Sequence, residues 1–398
     1  MIELGSGIDA TIAFGISFGA CALILASREK HLPLSDRRLD TNAIQAAHQM
    51  PTPRIGGLAL LLGVLPMAFL VPEELAPRIW LFLVSLIPVF VAGLAEDLGW
   101  HVRPRTRLLA AAISSAVVIA LLGVWLPRTD FPPLDYLMAF APFAIAFTIF
   151  AGAGICNGFN LIDGVNGLSA SVGIMAALSM AAIAAQSGDA AMIDLNMIVI
   201  GALLGFLVFN FPLGRIFLGD AGAYGLGHIL SWFAIALLVR LDDLTPWAVM
   251  LIFFWPVADT FLAIYRRRRS GRPTDQPDRL HFHQLVMRAL EITLMGRKAR
   301  RLSNPLATLV IAPMFVFPAL TGVLLWNNPI GAALAVGFYS VLFILTYFLG
   351  LRFAQGNRRR LFAQLLLTRA PEPRPMACLA ERDGDAGAHT AVGIGDIP

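Results

Sequence analysis

Residues 157–167 read NGFNLIDGVNG, so that Asn157, Asn160, Asp163 and Asn166 recur at every third position with glycines between them. Steps of three residues drift around a helix axis, and these four groups cannot share one straight face. The glycines let the chain leave the helix and turn its amides and its acid toward a common point; a plain polar turn is the simpler alternative. FLGDAG sets Asp220 between glycines at a predicted helix start. Small neighbours there let an anionic ligand or a metal approach the backbone, whose free N–H groups favour phosphate. An N-cap aspartate is the competing reading. Glu96 and Asp97 close an apolar stretch beside His101 and Arg103, as a reactive acidic pair or as a span end snorkelling to water. His281 and His283 flank an aromatic in DRLHFHQ. With no thiolate or further histidine nearby, they do not make a zinc set.

The elements that must position these groups are apolar. The 398 residues are 57% hydrophobic and 14% charged, with mean hydropathy +0.72. Soluble domains carry about a quarter charged residues, so a bilayer protein is expected. Taking about 20 apolar residues per crossing, the sequence predicts an all-α polytopic membrane protein of about eleven spans. They lie near 9–27, 55–71, 78–95, 107–126, 135–155, 167–186, 194–212, 221–240, 245–265, 305–326 and 330–351. Broken helices are expected where Gly and Pro gather. Residues 1–351 form the membrane domain, and 352–398 a tail that begins basic and ends disordered. Residues 1–8 lack a basic run, so the first apolar stretch is expected to stay as an anchor. The cysteines, Cys21, Cys156 and Cys378, have no metal or disulfide spacing.

Lys and Arg fix the orientation. Arg28, Lys30, Arg37, Arg38, Arg54, Arg103, Arg105, Arg107, Arg215, Arg266–Arg269 and Arg297–Arg301 fall in one set of loops, whereas the opposite loops are acidic. The basic side is therefore cytoplasmic, with the N-terminus outside and the C-terminus inside. This layout accounts for the net charge of +4 without nucleic acid, and RRRRSGR reads as topology and lipid contact. All five polar islands share that side: HQMPTPRIGG, GLAEDLGWHVRPRTRLL, NGFNLIDGVNG, FNFPLGRIFLGDAGAYG and DRLHFHQLVMR. A transporter also places acids in broken helices, but it wants them near the midplane between repeated halves. Here the acids lie near one surface and no repeat is evident.

In order and spacing, PTPRIGG, GLAEDL…RLL, NGFNLIDGVNGL, FLGDAG and DRLHFHQL resemble the polyprenyl-phosphate N-acetylhexosamine-1-phosphate transferase family. The resemblance runs from about His48 to Arg288, with PTPR and DRLHFHQL nearer the O-antigen-initiating members than the phospho-MurNAc-pentapeptide transferases of peptidoglycan synthesis. It implies transfer of a sugar-1-phosphate from a UDP-N-acetylhexosamine to undecaprenyl phosphate with release of UMP. It also implies Mg²⁺, or Mn²⁺, as cofactor, a bacterial inner membrane and a cytoplasmic site, and it leaves a homodimer open.

Carried onto this chain, the resemblance makes Asp220 a metal ligand and Asn160 the second oxygen donor. Phe217 stacks on uracil, with Asp163 and Asn166 near the uridine and Asn157 completing the substrate-binding amides. Arg107 contacts the pyrophosphate, and His281 and His283 approach the sugar phosphates. Asp97 is the second acid of a catalytic pair whose first member is Glu96 here, where the family has aspartate; Gln284 likewise replaces a histidine.

Overall fold

The computed structural model describes residues 4–28, 52–269, 281–291 and 300–367, and every regular element among them is helical. The helices are α1 (Leu4–Ala26), α2 (Gly56–Val64), α3 (Met67–Leu70), α4 (Ala76–Ser85), α5 (Ile87–Asp97), α6 (Pro104–Leu122), α7 (Pro132–Met138) and α8 (Ala141–Ile162). They continue as α9 (Leu168–Ser187), α10 (Ala190–Asn210), α11 (Gly219–Arg240), α12 (Pro246–Ile252), α13 (Phe254–Arg269), α14 (Phe282–Leu290), α15 (Arg300–Leu324) and α16 (Pro329–Leu367). The chain divides into two compact units, Met1–Ala354 and Gln355–Pro398, and the polar islands belong to the first. His48, residues 270–280 with much of RRRRSGR, residues 297–299 and the tail's tip lie outside the described residues.

Among the described residues, eight helices (α1, α6, α8, α9, α10, α11, α15 and α16) are long and apolar enough to cross a bilayer. Two bent pairs bring the number to ten: α4 with α5, at 40°, and α12 with α13, at 80°. These are the broken helices expected of proline-rich segments: Pro88 opens α5, and Pro256 lies in the first turn of α13. The expected eleventh span, at 55–71, is different. Helix α2 stops at Val64, Leu65 and Pro66 turn, and α3 adds one turn ending at Leu70. At 1.5 Å per residue, Gly56–Leu70 reaches about 22 Å, short of the roughly 30 Å apolar core. Hydropathy is continuous through this segment; Leu65 and Pro66 keep helical backbone angles although Pro66 has no N–H for the ladder, and the chain leaves the helix only at Val71, which is extended.

Helix α11 is the axle of the bundle. It is 89% buried over its apolar window, against 17% for α1, and it packs on α8, α5, α2 and α9. In lipid, apolar side chains alone give helices little reason to associate, so close backbone approach through small residues matters more. The first turns of α11 read GDAGAYGLG. A Cβ added at Gly57 of α2 would collide with the Gly222 amide nitrogen. The chain entering α2 is stitched to the chain entering α11 by Phe217 N–H to Pro53 O (2.9 Å), Gly56 N–H to Phe217 O (2.9 Å) and Gly57 N–H to Leu218 O (2.8 Å). PTPRIGG and FLGDAG, about 160 residues apart in sequence, are therefore one structural unit.

Candidate active site

Four helix ends meet at one end of the bundle: the C-termini of α5 and α8 and the N-termini of α6 and α11. The first N–H groups of a helix have no partner within it and carry its positive dipole. Leu218, the N-cap of α11, offers no capping side chain. Asp97, the last residue of α5, does so from outside: its Oδ1 accepts from Asp220 N–H (2.8 Å) and its Oδ2 from Ala221 N–H (2.9 Å). Asp97 is only 5% exposed, and two charge-assisted hydrogen bonds offset the cost of burying it. Glu96 sits beside it, half-buried.

The turn so held presents Asp220. Asn160, in the last turn of α8, donates its amide Nδ2 to Asp220 Oδ1 at 3.0 Å. Arg107, in the first turn of α6, forms an ion pair with Asp220 Oδ2 and lies over the Tyr224 ring, 6.0 Å from its centroid. Tyr224 donates its hydroxyl to Asn157 Oδ1 (3.4 Å), so Asn157 and Asn160, one turn apart on α8, both face α11. Phe217 is half-buried three residues before Asp220, with its backbone paired on both sides to the entry of α2.

Gly219 makes this convergence possible. Its φ is +75°, and a Cβ there would strike Arg54 O and stand 2.6 Å from Asp97 Oδ2. Gly219→Ala is therefore expected to cost about 3 kcal/mol or more and to remove activity, since both the backbone conformation and the Asp97 cap are lost. Thermal unfolding in detergent beside an activity assay checks this; an alanine variant of native stability and activity contradicts the geometry.

Asp163, just past α8, is half-buried. Burial pushes its carboxyl up to about 8; Arg54 opposes the rise, Asp97 adds to it, and the Gly219 amide opposes it. Asn166 parts company with the other three. It is 3% exposed and donates its side-chain amide to Pro212 O (2.9 Å), while its backbone is bonded to Asn304 Oδ1 and the Thr308 hydroxyl. It braces the α8–α9 turn against the α10–α11 loop and α15. The expected common point therefore gathers Asn157 and Asn160 around the first turns of α11 with Asp163 alongside, but not Asn166.

His281 stands at the N-cap position of α14 and His283 lies in its first turn, both buried. Their rings stack at 5.6 Å and 12°. His283 reaches the α8–α9 turn, where a Cβ on Gly164 would stand 2.6 Å from its Nε2, next to Asp163 in sequence. Burial lowers its imidazole to about 4, so it is neutral near pH 7; Asp259 opposes the shift, and His281 and Arg266 add to it. Asp259 and Tyr224 were not singled out from sequence. Asp259 had a signal, being a carboxylate within an apolar span.

These two shifts have opposite signs in stability. His283, lowered on folding, contributes fully above pH 6.5 and loses that contribution as pH falls toward 4. Asp163, raised on folding, contributes fully below pH 3.8 and loses that contribution as pH rises toward 8. Of the two, only Asp163 still titrates between 6.5 and 8. Protein in detergent, free of divalent cations, is expected to lose about 1–2 kcal/mol across that window. A Tm that stays level or rises from pH 6.5 to 8 contradicts the desolvated carboxyl.

Among the described residues no three His, Cys, Asp or Glu side chains gather as a metal cluster. What the site does offer is a carboxylate oxygen and, after a half-turn of the Asn160 amide, an amide oxygen beside it. That oxygen pair suits Mg²⁺, which takes one or two protein oxygens and leaves its other positions to phosphate and water. At the other end of the bundle, Ser187, Gly188, Asp189, Ala190 and Arg240 line an open depression. Its charges are spent on each other, because Arg240 grips Asp189 through two nitrogens (2.5 and 3.0 Å).

A polytopic helical membrane protein whose polar machinery lies at one end of the bundle is the class that fold and site define. Residues 79–238 match the model of glycosyl transferase family 4. The chain is 26% identical to a probable undecaprenyl-phosphate N-acetylglucosaminyl 1-phosphate transferase of Bacillus subtilis, over 85% of this chain and 90% of the relative. It is 29% identical to the undecaprenyl-phosphate alpha-N-acetylglucosaminyl 1-phosphate transferase of Yersinia pestis, over 61% and 67%. It is 30% identical to the decaprenyl-phosphate N-acetylglucosaminephosphotransferase of Mycolicibacterium smegmatis, over 63% and 68%. The chain belongs to this family, the polyprenyl-phosphate N-acetylhexosamine-1-phosphate transferases.

Proposed function

We propose that this protein transfers N-acetylhexosamine-1-phosphate from a UDP-sugar to undecaprenyl phosphate at the cytoplasmic face of a bacterial inner membrane, beginning a lipid-linked envelope glycan such as O-antigen. The observation that carries the reading is the convergence of Asp97, Asn160 and Arg107 on Asp220 at one end of a membrane bundle. A water-soluble nucleotide and a lipid phosphate at headgroup depth can meet only at such a boundary. The names of the relatives support the same acceptor and the same class of transferred group, an N-acetylglucosaminyl 1-phosphate.

In the reaction, an oxygen of the lipid phosphate attacks the β-phosphorus of the UDP-sugar. The bond from that phosphorus to the bridging oxygen breaks and UMP departs. A lipid diphosphate-sugar remains. For such transfers the protein mainly positions phosphates and neutralises charge. Arg107 faces the diphosphate; Asp220 and Asn160 would hold Mg²⁺, which when bound would screen the phosphate charge; Phe217 stacks on uracil with Asp163 nearby. The acceptor phosphate, with a second pKa near 6, is already largely ionised at neutral pH. Asp97, both of whose oxygens are engaged by amides, therefore organises the site rather than removing a proton.

Purified protein with undecaprenyl phosphate is expected to release UMP from UDP-GlcNAc or from another UDP-N-acetylhexosamine in a panel. Release from UDP-MurNAc-pentapeptide alone would move the assignment to peptidoglycan synthesis, and release from none would remove it.

A further inference from the structure

Asp259 has no place in the reading above, yet it is the most deeply buried carboxylate near the site. It lies in α13, six residues past the 80° bend at Phe253, and is 0% exposed. Both of its oxygens serve α14: Oδ2 meets His281 Nδ1 at 3.0 Å, and Oδ1 accepts from Phe282 N–H at 3.2 Å. A buried carboxylate survives only when its lone pairs are satisfied. Asp259 meets that condition by fixing one histidine and the first turn of one short helix. His283, on the same turn, lies with its Nδ1 buried and without a hydrogen-bond partner. The carboxylate thus singles out one of two stacked histidines.

We propose that Asp259 is a positioning residue that acts through His281. It holds the proton of that ring on Nδ1, fixes the ring plane, and leaves the Nε2 lone pair to accept from a hydroxyl of the UDP-sugar's hexosamine. The inference rests on the donor assigned above. A histidine's second nitrogen is committed by the partner of its first, and Asp259 is the only group bonded to His281 Nδ1 among the described residues. Loss of Asp259 frees the ring to rotate and to move its proton to Nε2, so the donor site changes while the histidine remains.

Asp259→Asn separates this role from a structural one. The amide oxygen still accepts from Phe282 N–H, so α14 keeps its start, but the amide nitrogen cannot accept from Nδ1–H. The expected result is a loss of UDP-GlcNAc binding and of kcat/KM by about tenfold or more, with Tm lowered only as far as one unmet buried donor requires and binding recovered in Asp259→Glu. His281→Ala is expected to lose a similar factor, and the double variant no more than His281→Ala alone. Additive losses, or a His281→Ala variant of native kcat/KM and binding, would overturn the proposal.

The cycle is measured both as UMP release and as equilibrium binding of UDP-GlcNAc. A wild type that binds the nucleotide without releasing UMP then counts against the transfer reaction and not against the pair. Should Asp259→Asn not fold, side-chain ¹⁵N spectra of the wild type, with His281 assigned by its loss in His281→Gln, carry the test. A proton on Nδ1 supports the pair; a neutral ring protonated on Nε2 overturns it.

Discussion

Replacing Asp220 with alanine is expected to reduce Mg²⁺-dependent UMP release by about a thousandfold or more, in protein that still elutes as a folded species from detergent. Asp220 is the meeting point of the site: Asn160 reaches one oxygen and Arg107 the other. Its side chain is 9% exposed and that of Arg107 13%, so the pair is largely desolvated. Removing one member leaves the other charge without its partner. Arg107 stands in the first turn of α6, where its long side chain can turn toward water, which is why folding is expected to survive while the oxygen donor is lost. Asp220→Asn provides a second arm, since it preserves volume and one oxygen but not the charge. Activity of either variant at ordinary Mg²⁺ would take Asp220 out of the metal site.

The second large effect concerns Asp97. Asp97→Asn is expected to lower kcat by about a hundredfold while weakening UDP-sugar binding by less than about tenfold, and to raise the Mg²⁺ concentration needed for half-maximal rate. The carboxylate accepts from two consecutive amides of α11. An asparagine can accept from one of them and must turn its own N–H₂ toward the other, leaving a buried donor unmet at about 1–3 kcal/mol. The first turn of α11 then relaxes, and Asp220 moves with it. A misplacement of about an ångström can cost a hundredfold in rate. Steady-state kinetics beside equilibrium binding separate the two; equal losses in both would argue against a role confined to the transfer step.

Much of this site was legible in the chain because its signals were local. A carboxylate between glycines, an acidic pair ending an apolar run, and amides spaced through NGFNLIDGVNG each stand out against a bilayer-like background. The side on which Lys and Arg gather puts them together. Asp97, Asn160, Arg107 and Asp220 duly meet. Asn166 looked identical in type to Asn160, but its partners are Pro212 and Asn304, the latter 138 residues away; no local pattern encodes that. The same limit hid Asp259, whose meaning depends on a helix 23 residues further on. In the fold, hydropathy located the spans but not where a helix stops inside an apolar run. Residues 55–71 looked like one crossing, yet the helical stretch ends at Leu70, where Val71 turns extended.

The most direct measurement is the position of bound nucleotide and ion in a density map of the detergent-held protein loaded with UDP-GlcNAc and Mn²⁺. Density for the ion on the Asp220 carboxylate, with the diphosphate beside Arg107 and the uracil against Phe217, is the predicted result. Nucleotide at the opposite end of the bundle, beside Asp189 and Arg240, or an ion bound away from Asp220, would contradict it.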